Sequence, residues 1–220
     1  METKKLKKLL LACGLVAALG VGATLAYFTD QDSATNVITM GHADVDLDEP
    51  NFEEDKEIED VKPGDVITKD PTVTVATDSL DVYVRFRVSF TGLTQTQIND
   101  LMSKNADGNY NYLNIDTSDW TEVYNSTENV YYFYYVGGDE NGKLTAGDVV
   151  TLFGTVTIPE KWGNEIAGKT FNIVVGADAV QADNFTPGVN ADGVYGWYYS
   201  DGTVVTPQTY NPNANVAETE

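Results

Sequence analysis

Cysteine and histidine are almost missing from this 220-residue chain, which carries only Cys13 and His42. A single cysteine closes no intrachain disulfide, so the fold has to rest on its apolar core. A single histidine rules out the paired-histidine helix of zinc proteases and any three-histidine zinc site. A Ser-His-Asp triad would have to use His42. That residue stands between Gly41 and Ala43 at the start of an expected strand, with nothing like a nucleophile elbow nearby, and it reads as a strand-end histidine. Positive charge is scarce as well, at 13 Lys and Arg against 34 Asp and Glu. Such a surface repels the phosphates of nucleic acids and anionic headgroups, so no nucleic-acid partner is expected.

Long apolar runs are absent except at the N-terminus. There Lys4, Lys5, Lys7 and Lys8 precede an uncharged apolar run over residues 9–21, and Gly22 to Ala26 supply small side chains. This is the layout of a secretory signal over residues 1–26, with Thr24 and Ala26 at the small-residue positions before the cut and Tyr27 as the new N-terminus. Two other readings compete. One is an uncleaved anchor, since residues 9–26 come close to the length of about 20 that spans a bilayer. The other is a lipoprotein box at Leu10-Leu11-Ala12-Cys13, which would leave an apolar mature N-terminus. On the signal reading, signal peptidase is a partner during export, the membrane is met only before cleavage, and the protein is secreted to the extracellular matrix or cell surface. Without the four lysines and Glu2, 9 basic and 33 acidic residues remain, a formal charge of −24 over 194 residues. That length suits one all-β domain, expected over residues 41–206.

The remaining pattern is of strands. Val82, Val84, Phe86, Val88 and Phe90 alternate with Tyr83, Arg85, Arg87 and Ser89, which predicts a half-buried strand. Further strands are expected at 44–47, 130–136, 149–158, 171–179 and 195–199. Asn141-Gly142 and Asp201-Gly202 tolerate positive φ and are each expected to close a hairpin, giving a mostly antiparallel topology. One helix is expected, capped by Thr94, with Ile98, Leu101 and Met102 on one face and an end at residues 105–108. The acidic tract at 53–60 and the polar tail at 207–220 are compositionally loose, and the tail is expected to be disordered.

Metal chemistry finds little purchase. Asp44, Asp46 and Asp48 share one face of an expected strand, but a straight strand does not converge oxygens on one point as calcium requires. Asp139-Glu140-Asn141-Gly142 opens like a calcium loop but lacks the later bidentate Glu. No cofactor is expected, and calcium is the only metal these residues suggest. The acidic residues read as a solvated face. Tyrosine is abundant: 131, 132, 134, 135, 195, 198 and 199 place rings on both faces of their strands. One face can be core, while the other must meet water, a second layer or another chain.

Ala23-Thr24-Leu25-Ala26-Tyr27-Phe28-Thr29-Asp30, then Ala34-Thr35-Asn36 and a strand ending in Asp46-Leu47, resembles the N-terminal signature of the camelysin and TasA family of Gram-positive secreted proteins. The turn Lys62-Pro63-Gly64-Asp65 and the strand after it look like a second signature of that family. The resemblance implies a signal peptide cut by a dedicated signal peptidase and an antiparallel jelly-roll β-sandwich. It also implies self-association into extracellular biofilm-matrix fibres, with other matrix proteins as further partners. On this reading residues 27–40 become a strand donated to the next subunit, with Tyr27, Phe28, Val37 and Ile38 filling its pockets. Camelysin has been described as a surface metalloprotease. One histidine gives no recognisable catalytic metal site here, so fibre assembly is carried over and enzymatic activity is not. A monomeric adhesin or polysaccharide binder using exposed tyrosines is the third reading.

Overall fold

Strands account for nearly all the regular structure in a computed structural model of the chain, which describes residues 43–52, 61–138, 140–163, 166 and 169–204. In chain order the elements are β1 (Val45–Asp48), β2 (Val66–Thr68), β3 (Thr72–Val75), β4 (Val82–Thr91), the helix α1 (Gln95–Leu101), β5 (Trp120–Asn125) and β6 (Val130–Tyr135). There follow β7 (Lys143–Leu144), β8 (Val149–Thr151), β9 (Thr155–Thr157), β10 (Asn172–Gln181), a 3-10 turn (Ala182–Asn184), β11 (Thr186–Val189) and β12 (Tyr195–Tyr198). Every pairing between these strands is antiparallel. The fold is an all-β antiparallel sandwich.

One sheet runs β10-β4-β6-β5, with β7 continuing along β4 beyond the end of β6. The facing sheet runs β1-β3-β8. The β2–β9 pair extends that second sheet without a register change: Val66 faces Thr157, Thr68 faces Thr155, and after a kink Thr72 faces Thr151. Across the kink Lys69 N donates to Gly154 O and Leu152 N to Pro71 O. The single strand expected at 149–158 is therefore two short strands, because Pro71 has no N–H to give and the ladder opens beside Gly154.

The core lies between the sheets. Val82, Val84, Phe86, Val88 and Phe90 of β4 meet Val73, Val75, Val150 and Val156 of the facing sheet, all buried. Full burial of an aliphatic or aromatic side chain contributes roughly 1.5–3 kcal/mol, so β4 alone is a large share of the stability. Helix α1 begins at Thr94 in a reciprocal capping box with Gln97, and buries Ile98 and Leu101 on the same core. It stops at Leu101, earlier than the expected 105–108, because Met102 leaves helical geometry and the chain closes a tight turn over 105–109 instead.

The two turn dipeptides differ. Asp201-Gly202 does reverse the chain, with Tyr199 N donating to Thr203 O and Tyr198 bridging Val204. Asn141-Gly142 turns with φ of 54° and 83°, but β6 and β7 both pair with β4, so the loop is an excursion along one edge and not a hairpin. A Cβ at Gly142 would fall 2.0 Å from the Tyr135 carbonyl oxygen, so only glycine fits where the loop closes.

Candidate functional site

β4 was expected to be buried on one face only. Instead its second face carries a site built by register. Asp178 of β10 lies opposite Arg85 of β4, and Arg85 lies opposite Tyr134 of β6. One row along, Gly176, Arg87 and Tyr132 line up in the same way. Directly opposed residues share a face, so these six positions form one patch. It contains both arginines of the chain.

The hairpin β11–β12 covers that patch. Trp197, 2% exposed, joins Tyr132 and Tyr134 in a second apolar cluster, with Tyr83, Val123, Val130, Val180, Phe185 and Tyr195 packed around it. Arg85 is 3% exposed beneath this layer. Its Nε donates to Asp178 Oδ2 at 2.9 Å and its Nη1 to the Tyr134 hydroxyl at 2.8 Å. The guanidinium lies 4.5 Å from the Tyr132 ring centroid, 5.0 Å from Trp197 and 5.4 Å from Tyr134. Arg87 Nε sits 3.0 Å from the other Asp178 oxygen. A Cβ at Gly176 would come within 2.9 Å of Arg87 Nη2, so the glycine makes room for that guanidinium.

A buried cation is tolerated only when paired, hydrogen-bonded or faced by aromatic rings, and Arg85 has all three. Burial alone would lower its pKa, but Tyr134 and Asp178 together hold it above its ordinary value. Burial raises the Tyr134 hydroxyl against the opposing pull of Arg85. Burial, reinforced by the hydrogen bond to Glu128, pushes Tyr132 up to about 12. This is a cage of paired charges and closed rings. Chemically it can lock the hairpin down. The second face of the tyrosine strand thus meets a layer of its own chain. The sequence signal was there to read: two arginines at i, i+2 on β4 face two tyrosines at i, i+2 on β6.

Asp46 and Asp48 lie on the exposed face of β1 and Asp44, also exposed, directly precedes the strand, so the three run at strand spacing along an edge and not around a point. Glu140 pairs with Lys143. Among the described residues no three of His, Cys, Asp and Glu converge in a way that could hold a metal ion. His42, Asp139, Thr24, Ala26, Tyr27, Phe28, Val37 and Ile38 lie outside the described residues.

Two charge clusters escaped the sequence reading. Lys104 reaches Glu122 at 2.8 Å and covers the Tyr110 ring at 4.4 Å, while the Tyr110 hydroxyl donates to Glu122. Burial first, then Glu122, raises the Tyr110 pKa well above the usual tyrosine range. Lys69 is held by both oxygens of Glu49 at 2.5 and 2.7 Å with Phe52 beside it, which pins the turn after β1.

The sheet edges differ in their chemistry. β1 presents Asp46 and Asp48 outward, a common defence of an edge strand against pairing with another chain. β10 is ten residues long and contains no Lys or Pro; its one charge, Asp178, is taken up by the arginines. Among the described residues no strand pairs with its outer side. Its interior-facing Ile173, Val175, Ala177 and Ala179 pack on the core but are only partly buried.

These features define an antiparallel β-sandwich with one face capped by its own C-terminal hairpin. The family model described as camelysin metallo-endopeptidase matches residues 3–128, and the chain belongs to that family. The chain matches no curated protein and no solved structure.

Proposed function

We propose that this camelysin-family chain is a secreted structural protein that assembles into extracellular matrix fibres, with residues 27–40 of one subunit added as a strand to the next. The observation that supports this most is the outer edge of β10, long, undefended and backed by half-buried apolar side chains. An added strand would satisfy its outward N–H and C=O groups and cover Ile173, Val175, Ala177 and Ala179 with alternate side chains. β10 extends roughly 33 Å at strand rise, and a 14-residue segment in the same conformation reaches farther than that. Tyr27, Phe28, Val37 and Ile38 are the apolar residues such a strand would offer.

The family description raises proteolysis as the second reading. Among the described residues the donors do not fit a catalytic metal, the carboxylates of β1 running along an exposed edge, and the whole sequence has one histidine and one cysteine. The deciding experiment is electron microscopy of the protein beginning at Tyr27, beside a casein assay with and without chelator. Filaments without casein cleavage are expected. A monomer whose casein cleavage is abolished by the chelator would replace this reading, and an inactive monomer that binds polysaccharide would favour an adhesin.

A further inference from the structure

Tyr124 and Tyr131 stand directly opposite one another on β5 and β6. Their ring centroids are 4.6 Å apart and their planes are inclined by 33°. The other described tyrosine–tyrosine ring pair, Tyr134–Tyr195, is edge-on at 65° and 5.3 Å, inside the cluster that the hairpin closes. Tyr124 differs by being 41% exposed on an outer strand, while its partner Tyr131 is 6% exposed and fixed edge-on against Phe90. Rings at this spacing and inclination pack against one another, so a swing of the exposed Tyr124 side chain would bring an edge carbon of one to an edge carbon of the other. One ring is therefore open to an oxidant and the other is held in contact with it.

We propose that Tyr124 and Tyr131 form an oxidative cross-linking site, joined as an intramolecular dityrosine when the chain meets a peroxidase and hydrogen peroxide. Each phenol gives up one electron and its hydroxyl proton. The exposed Tyr124 is oxidised first, the hole passes to Tyr131 through ring contact, and Tyr124 is oxidised again. The two radicals join through their Cε carbons, and the two displaced Cε hydrogens return as protons to the phenolic oxygens. The peroxide takes up the two electrons and two protons and leaves as two waters. With one cysteine in the sequence this chain has no intrachain disulfide to form, and the biaryl bond would tie outer strand β5 covalently to β6. The inference is independent of fibre assembly, because both rings belong to one subunit.

The test treats the folded full-length chain with a haem peroxidase and hydrogen peroxide, then cleaves after glutamate. Cleavage after Glu122, Glu128 and Glu140 places Tyr124 and Tyr131 in different peptides. Expected are dityrosine fluorescence on a monomer-sized band, an intact mass lower by two hydrogens, and the 123–128 and 129–140 peptides recovered as one cross-linked species. Tyr124→Phe, which keeps the ring and loses only the hydroxyl bonded to Asn129, should fold as before and lose the cross-linked species. Fluorescence unchanged in Tyr124→Phe, cross-links found only between chains, or no dityrosine in the folded protein would each overturn the proposal.

Discussion

Replacing Trp197 by alanine should detach the C-terminal hairpin while leaving the sandwich folded. The indole is buried between Arg85, 5.0 Å from the ring, and Tyr134, whose ring centroid lies 5.3 Å away. Truncating a buried Trp to Ala typically costs about 3–5 kcal/mol through lost transfer energy and the cavity left behind, and the lost cation–π contact adds roughly 0.5–2 kcal/mol. The hairpin has little to set against this. A two-stranded ribbon is marginal alone, and β11–β12 makes only four ladder pairs. The loss is therefore capped by the hairpin's docking energy, and the core face of β4 should be untouched. Hydrogen exchange read beside urea unfolding checks this. The amides of Thr186–Val189 and Tyr195–Tyr198 should lose protection, while those of Val82–Thr91 and Val130–Tyr135 keep theirs. Trp197→Phe, which retains a ring over Arg85, should fall in between. A loss under about 0.5 kcal/mol, the size of an ordinary surface change, with hairpin protection unchanged, would refute the view that the cage holds the hairpin.

Three further outcomes follow from the same chemistry. Tyr132 has its folded pKa raised to about 12 by burial and Glu128, so it favours folding fully below the ordinary tyrosine value near 10 and loses that contribution as pH climbs through about 12. Urea midpoints should be flat up to the lower pH and decline above it, and Tyr132→Phe should flatten the decline. Subunits at −24 repel, so light scattering should show faster assembly as pH drops toward the carboxylate range near 4 or as salt shortens the Debye length below about 10 Å; growth indifferent to salt at neutral pH would place the acidic faces away from the joints. Intact mass spectrometry of the secreted protein should give an N-terminus at Tyr27, and a lipid on Cys13 or a retained residue 1–26 segment would contradict the signal reading.

The strands with strict alternation were legible because alternation is a local property. The period-two apolar set of residues 82–90 gave β4 to within one residue, and the Thr94 cap gave the start of α1. What the sequence concealed depends on partners distant in the chain. β3 and β8 are short runs whose strand character comes from pairing across the kink at Pro71 and Gly154; within residues 149–158 Gly154 alone marks the opening, and Pro71 lies far away in the chain. Arg85 reads as a solvent-facing residue until residues 186–198 are laid over it, since a polar residue on an alternating strand is equally compatible with water and with a polar pocket. The aspartates of β1 show the reverse case: the pattern placed them on one face correctly, and it is the edge position that gives that face its meaning.

The central claim is that residues 27–40 join subunits without being needed to fold one. A chain lacking residues 27–36 should keep the circular dichroism of the intact mature protein, elute as a monomer and form no filaments, because residues 73–162 already pack the β4 core against one another. Adding a synthetic peptide of residues 27–40 to that truncated chain should cap it as a stable one-to-one complex, and Phe28→Asp in the peptide should weaken the complex by leaving a charge unpaired in an apolar groove. Electron microscopy of the folded, truncated chain is the most direct measurement: single particles are predicted, and filaments like those of the intact mature protein would contradict strand donation by this segment.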